Sequence, residues 1–178
     1  MNVPPTIIIR HRKEIRSKCT IWPLRGRADI RLIHYPLKHW PDFNGYIRLA
    51  AEGPPLTVAD APRGILLLDG SWRWAGVMQK QVSAVEPRSL HGWQTAYPRS
   101  SKWANDPDNG LASIEALYVA YYLLGRPTEG LLDHYHWAEA FLLANGLQPT
   151  TLPEPQVSQD DSAGTAGFPS GSRFSSGG

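Results

Sequence analysis

The run Gly64-Ile65-Leu66-Leu67-Leu68-Asp69-Gly70-Ser71-Trp72 decides how this chain folds. Six residues form a nearly continuous apolar stretch closed by an acid, the pattern of a strand covered on both faces. Strands of that kind belong to parallel sheets with helices on either side. Ser71 can serve as an N-cap, so a helix is expected from Ser71 through Val82. A strand that delivers Asp69, Gly70, Ser71 and Trp72 at its carboxyl end sets polar groups where open α/β sheets bind ligands. Gly70 permits close backbone approach, the helix N-terminus offers N–H groups to a carboxylate, and Trp72 supplies a flat apolar wall. The same residues equally suit a plain strand-to-helix turn in which Asp69 or Ser71 caps the helix.

Working outward, Thr6 to Ile9 is a short β-branched run. Ile30 to His34 alternates like a strand, as does Tyr46 to Ala50 after the turn pair Asn44-Gly45. A further short strand is expected at Trp93 to Tyr97. Leu111 to Leu124 reads as a largely apolar helix ended by Gly125 and Pro127, and a last helical region is expected over Thr128 to Ala144. Strands interleaved with helices predict an α/β sheet with helices on its faces. Glu115 stands early in an apolar helix, where its carboxylate needs a partner or simply favours the helix dipole. Tyr97 to Asn109 (YPRSSKWANDPDN) is a long irregular segment of the kind that is usually functional.

The chain has 178 residues, 42% hydrophobic and 19% charged, enough for a single core of ordinary size. From Gln148 to Gly178 it is rich in Pro, Ser and Gly and almost free of aliphatic residues, so a disordered tail is expected. That tail holds one basic and three acidic residues, so the net charge of +2 for the whole chain becomes +4 for the body. The surplus is concentrated in residues 1 to 48, which carry Arg10, Arg12, Lys13, Arg16, Lys18, Arg25, Arg27, Arg31, Lys38 and Arg48 against Glu14, Asp29 and Asp42. This is either a basic face for a phosphate backbone or the solvated edge of a small domain.

The near-neutral balance excludes a histone-like polycation, and no apolar run of about 18 residues suggests a membrane span. One cysteine, Cys19, excludes an intramolecular disulfide framework. No signal peptide is visible, and a cytoplasmic protein is expected. His134 and His136 are two apart and would point to different helix faces, so no metal site is expected. The dinucleotide, P-loop and nucleophile-elbow glycine motifs are all missing. Trp22, Trp40, Trp74, Trp93 and Trp103 include possible base-stacking residues, although tryptophans in so small a domain are mostly core.

Four elements in order resemble the ribosomal-RNA aminocarboxypropyltransferases and their relatives, the DTW-domain transfer-RNA aminocarboxypropyltransferases. Ser17-Lys18-Cys19-Thr20 looks like the family's Lys-Cys-Ser/Thr element. Leu68-Asp69-Gly70-Ser71-Trp72 is similar to LDCSW and LDGTW. Gly110 to Ala116 is similar to KLSCVEA and GLSTLEA. His136 to Leu142 (HWAEAFL) is similar to FKWGxxFL. The span Arg99 to Asp106 is closer to the DTW branch, whereas HWAEAFLLAN belongs with the rRNA branch, which is favoured.

The resemblance implies a SPOUT-like α/β fold with a deep C-terminal trefoil knot. A basic N-terminal α/β portion (1–60) would precede a knotted donor-binding domain (61–147) and the tail (148–178). It implies S-adenosyl-L-methionine as donor and transfer of its 3-amino-3-carboxypropyl group to a uridine-type base in RNA. A sulfonium carries three electrophilic carbons, so orientation decides which group moves. Asp69, Trp72 and Glu115 are then the candidate catalytic residues, with Trp72 beside the transferred arm and either carboxylate on the donor's ammonium group or the base proton. Thr20, Leu68, Ser71, Tyr97, Leu111 and Ala112 fall where the family holds the donor. The alternatives are a tRNA-directed transferase, an RNA methyltransferase and a non-catalytic ribosome-assembly factor.

Overall fold

A computed structural model describes residues 3–98 and 110–148, apart from the side chains of Lys18 and Trp72. The chain runs β1 (Thr6–His11), β2 (Ile30–Tyr35), β3 (Tyr46–Leu49), β4 (Gly64–Asp69), α1 (Trp72–Gln81), β5 (Pro87–Arg88), α2 (Ser113–Leu123) and α3 (Ala138–Ala144). The strands form one five-stranded sheet in the order β2-β1-β4-β3-β5, and every pairing is parallel. The expected α/β sheet with flanking helices is therefore present. The 60/61 boundary falls within this sheet, because β4 lies between β1 and β3.

Alternation along the strands builds two apolar layers. On one face Ile8, Ile47, Ile65 and Leu67 pack with Ile114 and Leu117 of α2 and Phe141 of α3. On the other, Ile7, Ile9 and Leu66 pack with Met78 of α1 and with Val82 and Val85 beyond it. Coverage on both faces explains why the GILLLD run is apolar without alternation.

Two expectations are corrected. Trp93 to Tyr97 forms no strand, because side chains take its backbone donors. The N–H of Gln94 goes to Asn145, that of Ala96 to Glu115 and that of Tyr97 to Thr95. The fifth strand is instead the two-residue Pro87–Arg88. The last helix is only Ala138–Ala144, since Gly130 adopts φ 73° and i→i−3 bonds close separate turns at Leu131, Tyr135 and Ala138. The remaining elements match the expected ones to within two residues.

The strand order fixes where a ligand can sit. From β1 the chain travels outward to β2, whereas from β4 it travels through α1 toward the opposite edge at β5. The reversal lies between β1 and β4, and open parallel sheets bind ligands beyond the carboxyl ends of strands at such a point. At the amino end Tyr46 lies across Gly64, anchored by its hydroxyl to the Pro5 carbonyl at 3.0 Å. A Cβ on Gly64 would clash with that ring. Gly64→Ala should therefore cost about 1–3 kcal/mol of stability in chemical denaturation, the range for overpacked cores.

Candidate active site

Arg10 and Asp69 are register partners at the carboxyl ends of β1 and β4, and both face the α2 layer. Arg10 is 2% exposed and Asp69 7%. Their charged groups stand 3.7 Å apart, from Nε to Oδ2. The Cys19 thiol fills the gap: Arg10 Nε donates to its sulfur at 3.1 Å, and the thiol donates to Asp69 Oδ2 at 3.2 Å. The Ser113 hydroxyl, from the first residue of α2, also bonds to Asp69. Burial pushes the Asp69 carboxyl above the ordinary carboxylate range, against the pull of Ser113, Cys19 and Arg10. Burial, reinforced by the Asp69 charge, likewise raises the Cys19 thiol.

The loop after β1 is tied to the same place. Arg10 Nη2 donates to the Glu14 carbonyl at 2.6 Å, and Glu14 Oε1 accepts the Ser71 N–H at 2.8 Å. Ser71 does occupy the N-cap position of α1, but its side chain caps nothing. Gly70 faces protein, since a Cβ there would meet His11 and Trp74 at 3.4 Å.

Glu115 is the second candidate carboxylate, and its surroundings differ. It has no exposed surface. Its oxygens accept four hydrogen bonds: from Thr95 Oγ1 at 2.6 Å, the Ala96 N–H at 2.8 Å, the Ala112 N–H at 2.8 Å and the Tyr135 hydroxyl at 2.7 Å. Those donors fill the four lone-pair directions of a carboxylate. Glu115 thus joins the 95–97 loop, the entry to α2 and the turn before α3.

The expected donor-binding residues separate into two groups. Tyr97, Leu111 and Ala112 are half-buried and pack, with Cys19 and Trp137, against the α2-side core. Tyr97 meets the Trp137 ring edge-on at 5.1 Å between centroids, and Thr20 follows Cys19 directly in the chain. Leu68 packs on the opposite, α1 side, so only its backbone is available at the strand end. Ser71 is exposed. Trp72 opens α1, and its side chain lies outside the described residues, as do residues 99–109 and the tail from 149.

Of the early basic residues, Arg10 and Arg48 are buried and Arg27 pairs with Asp29 at 3.0 Å. Arg12, Lys13, Arg16, Arg25, Arg31 and Lys38 are exposed. Several of them border the carboxyl ends of the strands on aromatic supports. Arg16 and Arg25 lie over Trp22 at 4.7 and 5.0 Å, while Lys13 and Arg73 lie over Trp74 at 5.1 and 5.3 Å. None of these four cations forms an ion pair among the described residues.

No protein-family model matches this chain, and no curated protein does. Among solved structures it is similar to the SAM-dependent rRNA:acp-transferase Tsr3 from Vulcanisaeta distributa, with a TM-score of 0.64 and 25% identity over 82% of this chain and 80% of that one. The fold is Tsr3-like.

Residue spacing did not reveal Arg10, Glu14, Ser113, Thr95 or Tyr135 as parts of the site. The one signal for Arg10 was a cation directly after the apolar run Ile7 to Ile9. Among the described residues no cluster of three or more His, Cys, Asp or Glu is grouped as for a metal ion, and no helix is long and apolar enough to cross a membrane. Because Glu115 satisfies four donors, Glu115→Ala should cost about 2–4 kcal/mol in denaturant unfolding, each stranded buried donor contributing on the scale of a lost hydrogen bond.

Proposed function

We propose that this protein transfers the 3-amino-3-carboxypropyl group of S-adenosyl-L-methionine to a uridine-type base in ribosomal RNA. The likeness to an rRNA:acp-transferase over about four fifths of both chains carries this reading. The four ordered sequence elements support it independently, and they alone support the SPOUT-like, knotted description of the 61–147 portion. A cytoplasmic location and independence from metal belong to the same reading.

The described residues fit such a donor. A cationic ligand with an apolar body needs a carboxylate beside half-buried walls, and Asp69 with Tyr97, Leu111, Ala112 and Trp137 offers both on the α2 side. When bound, the donor supplies a sulfonium that activates all three attached carbons. Asp69 accepts the donor's ammonium group, which favours its ionised form despite burial. Glu115 fixes the 95–97 loop and the entry to α2, and so acts as a positioning residue rather than as a base. Trp72, at the start of α1, is the wall beside the transferred arm. Lys13, Arg16, Arg25 and Arg73, which form no ion pair among the described residues, provide positive charge for the RNA phosphates, which fix register rather than sequence.

Mass spectrometry of rRNA nucleosides, with and without the protein, should show a uridine-type base gaining the aminocarboxypropyl group, with methylthioadenosine released. Release of adenosylhomocysteine would instead establish a methyltransferase, and modified tRNA would redirect the substrate. Trp72→Ala should abolish transfer while leaving the thermal transition in place. Donor binding requires ionised Asp69 and a protonated donor ammonium, so affinity should be full near neutral pH and fall on acidification. Its midpoint should lie above the ordinary carboxylate range, and calorimetry across pH measures it.

A further inference from the structure

The ends of β1 and β4 are joined by a closed circuit of side-chain and backbone groups. Arg10 donates to Cys19, and Cys19 donates to Asp69. The chain continues from Asp69 to Ser71, the Ser71 N–H donates to Glu14, and the Glu14 carbonyl accepts from Arg10. We propose that Arg10 and Cys19 are positioning residues whose hydrogen-bonded relay sets the orientation and charge state of the Asp69 carboxylate for donor binding. The inference rests on the reading of Asp69 as the group that meets the donor's ammonium.

The geometry explains why a relay is needed. At 3.7 Å, Arg10 Nε is too far from Asp69 Oδ2 for a hydrogen bond. The arginine can fix the position of the carboxylate only through an intermediate that accepts on one side and donates on the other. A neutral thiol does both. It must stay protonated to donate, and burial beside Asp69 raises its pKa in the required direction. The groups facing Asp69 are Arg10 from β1, Cys19 from the turn after β1, Glu14 through space and Ser113 from α2. Arg10, Cys19 and Ser113 favour the ionised carboxylate, whereas burial and Glu14 oppose it. Removing the thiol donor therefore moves the Asp69 pKa further up.

The test is S-adenosyl-L-methionine binding by calorimetry across pH, with thermal unfolding as the control for folding. Cys19→Ala should weaken binding about tenfold near neutral pH, as expected for a lost hydrogen bond to a charged group. It should also move the acid midpoint upward, while Cys19→Ser, which keeps a donor and an acceptor, should restore both. A folded Cys19→Ala protein that binds like the parent, or a folded serine variant that restores neither quantity, overturns the inference. Cys19 is the single cysteine, so its alkylation rate against pH reads the contact directly and without the donor. Asp69→Asn should lower the thiol pKa, and an unchanged thiol titration overturns the relay. Should Asp69→Asn bind donor normally, the assignment of Asp69 fails. Should it lose binding while Cys19→Ala does not, only the relay fails.

Discussion

A carboxylate sealed from water, Glu115, ties together the segments packed on the α2 side of the sheet. Burying an ionised group is costly unless its hydrogen-bonding capacity is met, and here two hydroxyls and two backbone N–H groups meet it. Those donors come from three separate segments, so the 95–97 loop, the entry to α2 and the turn before α3 are held as one body. The wall formed by Tyr97, Leu111, Ala112 and Trp137 inherits its position from that node. Asp69 is a different kind of carboxylate. It too is buried, but supported by a thiol, a hydroxyl and a distant guanidinium, and burial dominates its titration. The two acids thus differ in environment: Glu115 has its hydrogen-bonding capacity filled, whereas burial outweighs the partners of Asp69.

Much of the fold was legible because the sheet is parallel and covered on both sides. The uninterrupted GILLLD run, the β-branched Thr6 to Ile9 stretch and the Asn44-Gly45 turn each carry a local signal that tertiary structure preserved. The errors arose where side chains supplanted backbone pairing. Trp93 to Tyr97 looks like a strand in composition, yet Asn145 and Glu115 capture its N–H groups from 51 and 19 residues away. No local pattern encodes such a partner. The pairing of Pro87–Arg88 was equally hidden, since proline normally argues against a strand and tolerates one only at an edge. Its place at the β5 edge explains the exception.

The site was legible in outline and not in its connections. Spacing drew notice to Asp69 and Glu115, and the four ordered elements brought Cys19 into the same family pattern. The direct bonds from Cys19 to Arg10 and Asp69 depend on strands that meet only after folding. The tryptophans show the same limit. Trp22 and Trp74 are neither plain core nor bare stacking platforms, because arginine and lysine side chains lie over their faces. A ring beneath a guanidinium restricts its motion, leaving the charge oriented toward solvent at modest entropic cost.

The strand order also constrains how the molecule comes into being. β4 sits between two strands that leave the ribosome before it, so the first sixty residues emerge with an unfilled slot through their middle. β1 and β3 cannot settle beside one another without excluding the segment that belongs between them. The native sheet can close only once GILLLD is available to fill that slot. Nucleation then depends on contacts distant in sequence, which makes assembly slow and cooperative. Truncated products ending before residue 64 should have no stable version of this architecture to fall back upon.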